Sequence, residues 1–172
     1  MQEARNILGI DPGSTKIGYG VISYKCRSNF LNPPNGADPQ VLGYGYIDLK
    51  NHIGQEKRLL HLHEDLKEIF TEYKPHSMAI ENIYFFKNAK TFGAVVQSKG
   101  VILFTAAQAK INVYEYTPLQ VKQTIGGHGK ASKNFLQKLV KSSLDINCNI
   151  KPDDASDALA IALCHLRHLT NR

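Results

Sequence analysis

Cysteine is scarce: Cys26, Cys148 and Cys164 are the three in 172 residues, an odd number with no CxxC spacing. A disulfide framework is therefore not expected, a thiolate zinc site has no spacing to build on, and a reducing cytoplasm suits the chain. Long apolar runs are also missing. With no 18-residue apolar stretch and no signal-like segment near the start, neither secretion nor membrane insertion is expected. No internal repeat or linker-like stretch divides the sequence, which reads as one domain over residues 1–172. Acidic charge is in the minority, 15 Asp and Glu against 21 Lys and Arg, and the net +6 favours a polyanionic partner. Hydrophobic residues at 42% and charged residues at 21% speak against disorder.

What is present is organised around NILGIDPGSTKIGYGVISY, Asn6 to Tyr24. The run Ile7–Ile10 is apolar at both parities, the mark of a central strand covered on both sides, and it stops at Asp11-Pro12-Gly13-Ser14. Pro presets φ and Gly accepts φ > 0, so a tight turn into a second strand, Ile17–Ile22, follows. Asp11 is thereby set at the rim of the core. An isolated Asp-Pro-Gly is more often a turn aspartate bonding to its own backbone.

Lys25 to Gln40 is polar and centred on Pro33-Pro34-Asn35-Gly36, which predicts a long exposed hairpin loop before a third strand, Val41–Leu49. Leu59, Leu62, Leu66, Ile69, Phe70 and Tyr73 form one stripe of a helix over Glu56–Tyr73, closed by Pro75. His61 and His63 point about 200° apart on it, cannot share an ion, and are expected to be solvated. Ser77–Glu81 is a fourth strand, again ending on a carboxylate. Asn88–Lys110 reads as a helix whose Gly93 and Gly100 allow close packing against a neighbour. Ile111–Tyr116 is a fifth strand, Leu119–Ile125 a short helix and Gly126–Gly129 a flexible loop. A helix through Phe135–Val140 and a last one, opened by Pro152, over Asp153 to about Leu169 complete the chain. A meander followed by α/β alternation implies an α/β fold: a five-stranded mixed sheet with helices on both faces.

Four carboxylates occupy places that packing does not require. Asp11 and Glu81 end two central strands; Asp154 and Asp157 are three apart on the last helix, diverging by about 60° and emerging on one face. Acids at a helix start also serve as caps, which accounts for Asp153-Asp154 as well as catalysis does. If the four converge, their repulsion calls for cations, and oxygen donors suit Mg²⁺.

GIDPGSTKIGYGVI, AIENIYFFKNAKT, YTPLQVKQTIGGHGKASK and DDASDALAIALCH, in this order and spacing, resemble the RuvC family of bacterial Holliday-junction resolvases. The resemblance spans roughly Ile7 to His168. It implies an RNase H-like fold, a homodimer, and paired symmetric nicks in four-way junction DNA that leave 5′-phosphate and 3′-hydroxyl ends. It further implies two Mg²⁺ per active site (with Mn²⁺ as a substitute) and a branch-migration motor complex as partner. Asp11, Glu81, Asp154 and Asp157 match the family's catalytic acids, with Asp11 as the bridging ligand of a two-metal site. Register with the DALA segment selects Asp154 over Asp153. Lys122 and Lys133 match positions associated with junction binding and catalysis, and Tyr84 matches an aromatic that stacks on unpaired bases. Phe85, Lys87, Lys90 and Lys130 flank the acid-bearing segments and join the expected DNA contacts. The Lys25–Gln40 loop is longer and more polar than the family pattern, and some members carry a histidine in the last acidic set. An actin-like or sugar-kinase-like ATPase needs a second lobe for which 172 residues leave no room. A YqgF-type RNA nuclease fits the last helix and the aromatic–lysine stretch less well. A silent DNA-binding module does not need four intact acids.

Overall fold

The computed structural model describes residues 2–27, 38–50, 54–82 and 89–170. Strands β1 (Gln2–Asp11), β2 (Lys16–Arg27) and β3 (Gln40–Asp48) form an antiparallel meander. Strands β4 (Ser77–Glu81) and β5 (Asn112–Tyr116) add in parallel on the other side of β1, giving the order β3-β2-β1-β4-β5. The helices are α1 (Gln55–Tyr73), α2 (Ala89–Gln108), α3 (Pro118–Gly126), α4 (Lys133–Ser143) and α5 (Asp153–Thr170). This is the mixed five-stranded sheet that the alternation of elements implies.

The sheet is covered on both faces, as the double apolar parity of β1 requires. Leu8, Ile10, Val21, Met78 and Ile80 pack against Leu62, Leu66 and Phe70 of α1 and Ile102 of α2. Ile7, Ile22 and Ala79 pack on the other side against Ala155, Leu159, Ala162 and Leu163 of α5, with α3 and α4 outside. Helix α5 lies almost in backbone contact with the sheet. A Cβ on Gly9 would stand 2.0 Å from the Ala158 carbonyl oxygen, and one on Gly18 would stand 2.1 Å from that of Asp154. Only glycine permits that approach.

Three local expectations change. β1 starts at Gln2 because Gln2–Asn6 pair with Ser23–Arg27, so Lys25–Arg27 is strand and not loop; the centre of that expected loop lies outside the described residues. Helix α1, by contrast, ends at Tyr73 as expected, with Lys74 taking the left-handed conformation (φ 45°) and donating its N–H to the Phe70 carbonyl just before Pro75. His63 is not solvated: its Nδ1 lies 2.9 Å from Thr105 Oγ1 of α2, tying the two helices together. Gly93 and Gly100 have no described atom within 4 Å of their Cβ positions and face outward with Val96 and Phe104.

Candidate active site

Side chains alternate along a strand, so Asp11 points to the same face as Ile7 and Gly9, and Glu81 to the same face as Ala79. That is the face α5 covers. Ile10 pairs with Ile80 in parallel register, so both carboxylates leave the same edge of adjacent strands. Asp11 also pairs with Gly18, the residue over which the Asp154 backbone is laid. Glycine at position 18 thus brings the first turn of α5 to Asp11.

The burial and charge of this corner are legible in Asp11. Its carboxyl is pushed up to about 8, first by burial and then by the negative charges of Glu81, Asp157 and Asp154, with Lys133 opposing. Glu81, Asp154 and Asp157 are thus each close enough to Asp11 for their charges to act on it. Asp153 behaves differently. Hydrogen bonds and attraction from Lys133, and a bond from Gln137, hold its carboxyl below the usual range at the exposed rim. The register preferred for Asp154 is consistent with that division.

Two capped helices supply the basic wall. Thr117 and Gln120 cap α3 reciprocally, Thr117 Oγ1 accepting from the Gln120 N–H (3.0 Å) and Gln120 Oε1 from the Thr117 N–H (2.8 Å). Ser132 caps α4 by accepting from the Phe135 N–H. These caps set Lys122 and Lys133 at a cleft of about 290 Å³, whose walls also include Asp11, Glu81, Gln137 and Asp157. Lys133 Nζ lies 3.0 Å from Asp157 Oδ2 and 3.3 Å from Asp153 Oδ2. Burial pushes the Lys133 ammonium down, but its bonds to both aspartates outweigh this and leave its pKa raised. Burial likewise raises Asp157, against the pull of Lys133.

Among the described residues no three Asp, Glu, His or Cys side chains close into a ready-made metal cage. The donor chemistry nevertheless fits a hard divalent cation: the groups on offer are carboxylate oxygens, and burial, with repulsion from the other acids, raises the pKa of Asp11. Soft-ligand zinc chemistry has no counterpart in the cleft.

Of the expected DNA contacts, Lys122 and Lys133 line the cleft, while Lys130 is exposed in the α3–α4 connection and stands outside its walls. Lys90 lies in the first turn of α2, and Tyr84, Phe85 and Lys87 lie outside the described residues. Sequence reasoning missed Gln137, although its spacing of four from Lys133 puts both on one face of α4. It also missed Lys99, whose Nζ reaches Glu115 Oε2 (2.7 Å) and Asn82 Oδ1 (3.4 Å) beside Glu81.

Comparison with known proteins covers nearly the whole chain. Residues 7–165 match the family model described as crossover junction endodeoxyribonuclease RuvC. A protein of that name from Caldicellulosiruptor saccharolyticus is 44% identical over 160 residues, covering 93% of this chain and 91% of its own length. The solved Thermus thermophilus RuvC structure superposes with a TM-score of 0.83 at 28% identity, covering 95% of this chain and 94% of that one. A second T. thermophilus structure, in complex with a Holliday junction substrate, gives 0.81 at 25% identity with the same coverage.

Proposed function

The chain belongs to the RuvC family of crossover junction endodeoxyribonucleases, and on that premise we propose that it resolves four-way DNA junctions by paired phosphodiester hydrolysis. The observation that carries this reading to particular residues is the carboxyl of Asp11, buried at a strand end beside the cleft and raised to about 8 by that burial and then by the charges of Glu81, Asp157 and Asp154. These four are the proposed catalytic acids and would be the residues that hold Mg²⁺, or Mn²⁺ in its place. When bound, such ions supply charge neutralisation and Lewis acidity to the scissile phosphate.

The chain's own residues do the rest. Asp11 sits on rigid central backbone, where its carboxylate would hold a cation in place of a proton. Lys133 holds Asp157 and Asp153 in place and sets a positive charge in the wall. Lys122, on the facing helix, meets the incoming phosphodiester. The apolar floor of Val121, Leu136 and Val140 keeps α3 and α4 seated beneath these charges.

Paired nicks need two active sites related by a twofold axis, and a second copy of the chain supplies the other. The contact proposed is the outer stripe of α2, where Gly93, Val96, Gly100 and Phe104 recur at helical spacing, Phe104 being 60% exposed. On this reading one nuclease domain per protomer works in the cytoplasm, beside a branch-migration motor complex, in homologous recombination and repair. No helix among the described residues is long and apolar enough to cross a membrane.

The test offers the purified protein, with Mg²⁺, a four-way junction, a linear duplex and a structured RNA. Paired symmetric nicks with ligatable ends are expected in the junction. Equal cutting of the linear duplex or the RNA would sink the reading.

A further inference from the structure

A second cavity, of about 250 Å³, opens beside the acid-lined cleft. Gln137 and Ser156 stand in the walls of both. The chemistry of this neighbour is the reverse of the cleft's, for its walls carry Lys141, Lys151 and Asn149 and lie at the start of α5. Lys141 Nζ donates to Asn149 Oδ1 (3.2 Å), which steadies the ammonium and leaves the Asn149 amide N–H groups as donors. The acid in the wall, Asp153, is already engaged by Gln137 and Lys133, each at 3.3 Å.

Ser156 is the independent sign that something is meant to bind. It is 2% exposed, and its Oγ is buried with no hydrogen-bond partner among the described residues. A buried hydroxyl is normally paired, and one left unpaired at the wall of a cavity marks a place for an acceptor. Two ammonium groups, a serine hydroxyl, an amide and the positive end of a helix dipole all offer donors or positive charge. Such a lining rejects a cation and suits a tetrahedral anion.

We propose that this cavity takes a backbone phosphate of the cleaved strand, neighbouring the phosphate presented to the acids. The proposal rests on the junction-cutting reading and deepens it. Because the two cavities share the walls at Gln137 and Ser156, two phosphates of one continuous strand occupy them in succession. Seating the second fixes which phosphate reaches Asp11 and in which direction the strand runs through the cleft.

Junctions carrying a single neutral methylphosphonate at successive positions flanking the cut test this. Wild type and the double variant Lys141→Gln/Lys151→Gln are compared with each. Lys151 is exposed and Lys141 half-buried, so the fold is expected to survive, as thermal melting will show. For wild type, one flanking position is expected to lower kcat/KM about tenfold. The double variant should cut the unmodified junction about tenfold less well and lose nothing further at that position. Its slope of log Kd against log salt should be shallower by about one. Ser156→Ala should melt no lower than wild type yet cut several-fold more slowly; unchanged cutting would count against the site. Wild-type indifference at every flanking position, or sensitivity that persists in the double variant, would overturn it. Failure of wild type to cut the unmodified junction would instead overturn the reading beneath it, and the subsite with it.

Discussion

At its first turn α5 brings Asp154 and Asp157 towards Asp11 and Glu81, carboxylates that repel one another. About three turns on, the same helix buries His165 between Ser77 of β4, whose Oγ is 3.1 Å from Nε2, and Tyr116 of β5, whose hydroxyl is 2.7 Å from Nδ1. Arg167 follows, donating to the Thr124 carbonyl (2.7 Å) at the end of α3 and to Ser143 Oγ (3.3 Å) on α4. One end of the helix is electrostatically frustrated and the other is polar, buried and satisfied. Such an arrangement is what a cation site requires, because the satisfied end and the Gly9–Gly18 contact hold the acids together despite their repulsion.

The largest effect expected from breaking the frustrated end is catalytic. Asp11→Asn removes a proposed ligand together with a repelling charge. Cleavage should fall by about a thousandfold or more, while junction binding persists and the metal-free melting temperature holds or rises. Near-normal Mg²⁺-dependent cutting would remove Asp11 from the site. Lys133→Gln should cost less, about a hundredfold in cleavage, because the wall loses one fixed charge while all four acids remain. Cleavage within a factor of two of wild type would reduce Lys133 to a surface ion pair.

The satisfied end should respond in the opposite currency. His165→Ala leaves the Ser77 and Tyr116 hydroxyls without their shared partner and opens a cavity beneath α5. A loss of about 2–4 kcal/mol of stability is expected by chemical denaturation. The molecules still folded should retain most of their cleavage rate. A variant that melts normally and cuts poorly would show that the two ends are not separable.

The difference between these ends also marks what the sequence could tell. Asp11 was legible because a strand apolar at both parities ends abruptly at a polar turn, and the α5 seam because Ala155, Ala158 and Ala162 recur at helical spacing. Both signals are local. His63 pairing with Thr105, Lys133 with Asp157 and His165 with Ser77 join residues 42, 24 and 88 apart, and no periodicity encodes such partners. The choice between Asp153 and Asp154 was of the same kind. It depends on the rotation of α5 about its axis, which is fixed by the backbone contact at Gly18 and not by the helix's own sequence. The second cavity was illegible for a related reason, since Lys141 and Lys151 meet only when α4 and the start of α5 are folded together.

The smallest effect, and the one that sharpens the comparison most, is the pH dependence of the metal-free protein. Asp11 titrates near 8 in the folded chain against 3.8 in its ordinary state, and burial moves Asp157 in the same direction. Between those values the folded state holds a proton that the unfolded chain has released. Stability is therefore favoured at low pH and is lost as pH rises from about 4 through about 8. Asp153 has the reverse sign, since its lowered pKa withdraws stability only as pH falls through the acidic range. The window from pH 5 to 8 is thus governed chiefly by Asp11. The melting temperature in chelator should fall across that window, and Asp11→Asn should flatten most of the fall. A divalent cation replaces the proton, so millimolar Mg²⁺ should raise the melting temperature more at pH 8 than at pH 5. A wild-type slope equal to that of Asp11→Asn, with an Mg²⁺ gain independent of pH, would mean that the carboxylates do not share one corner.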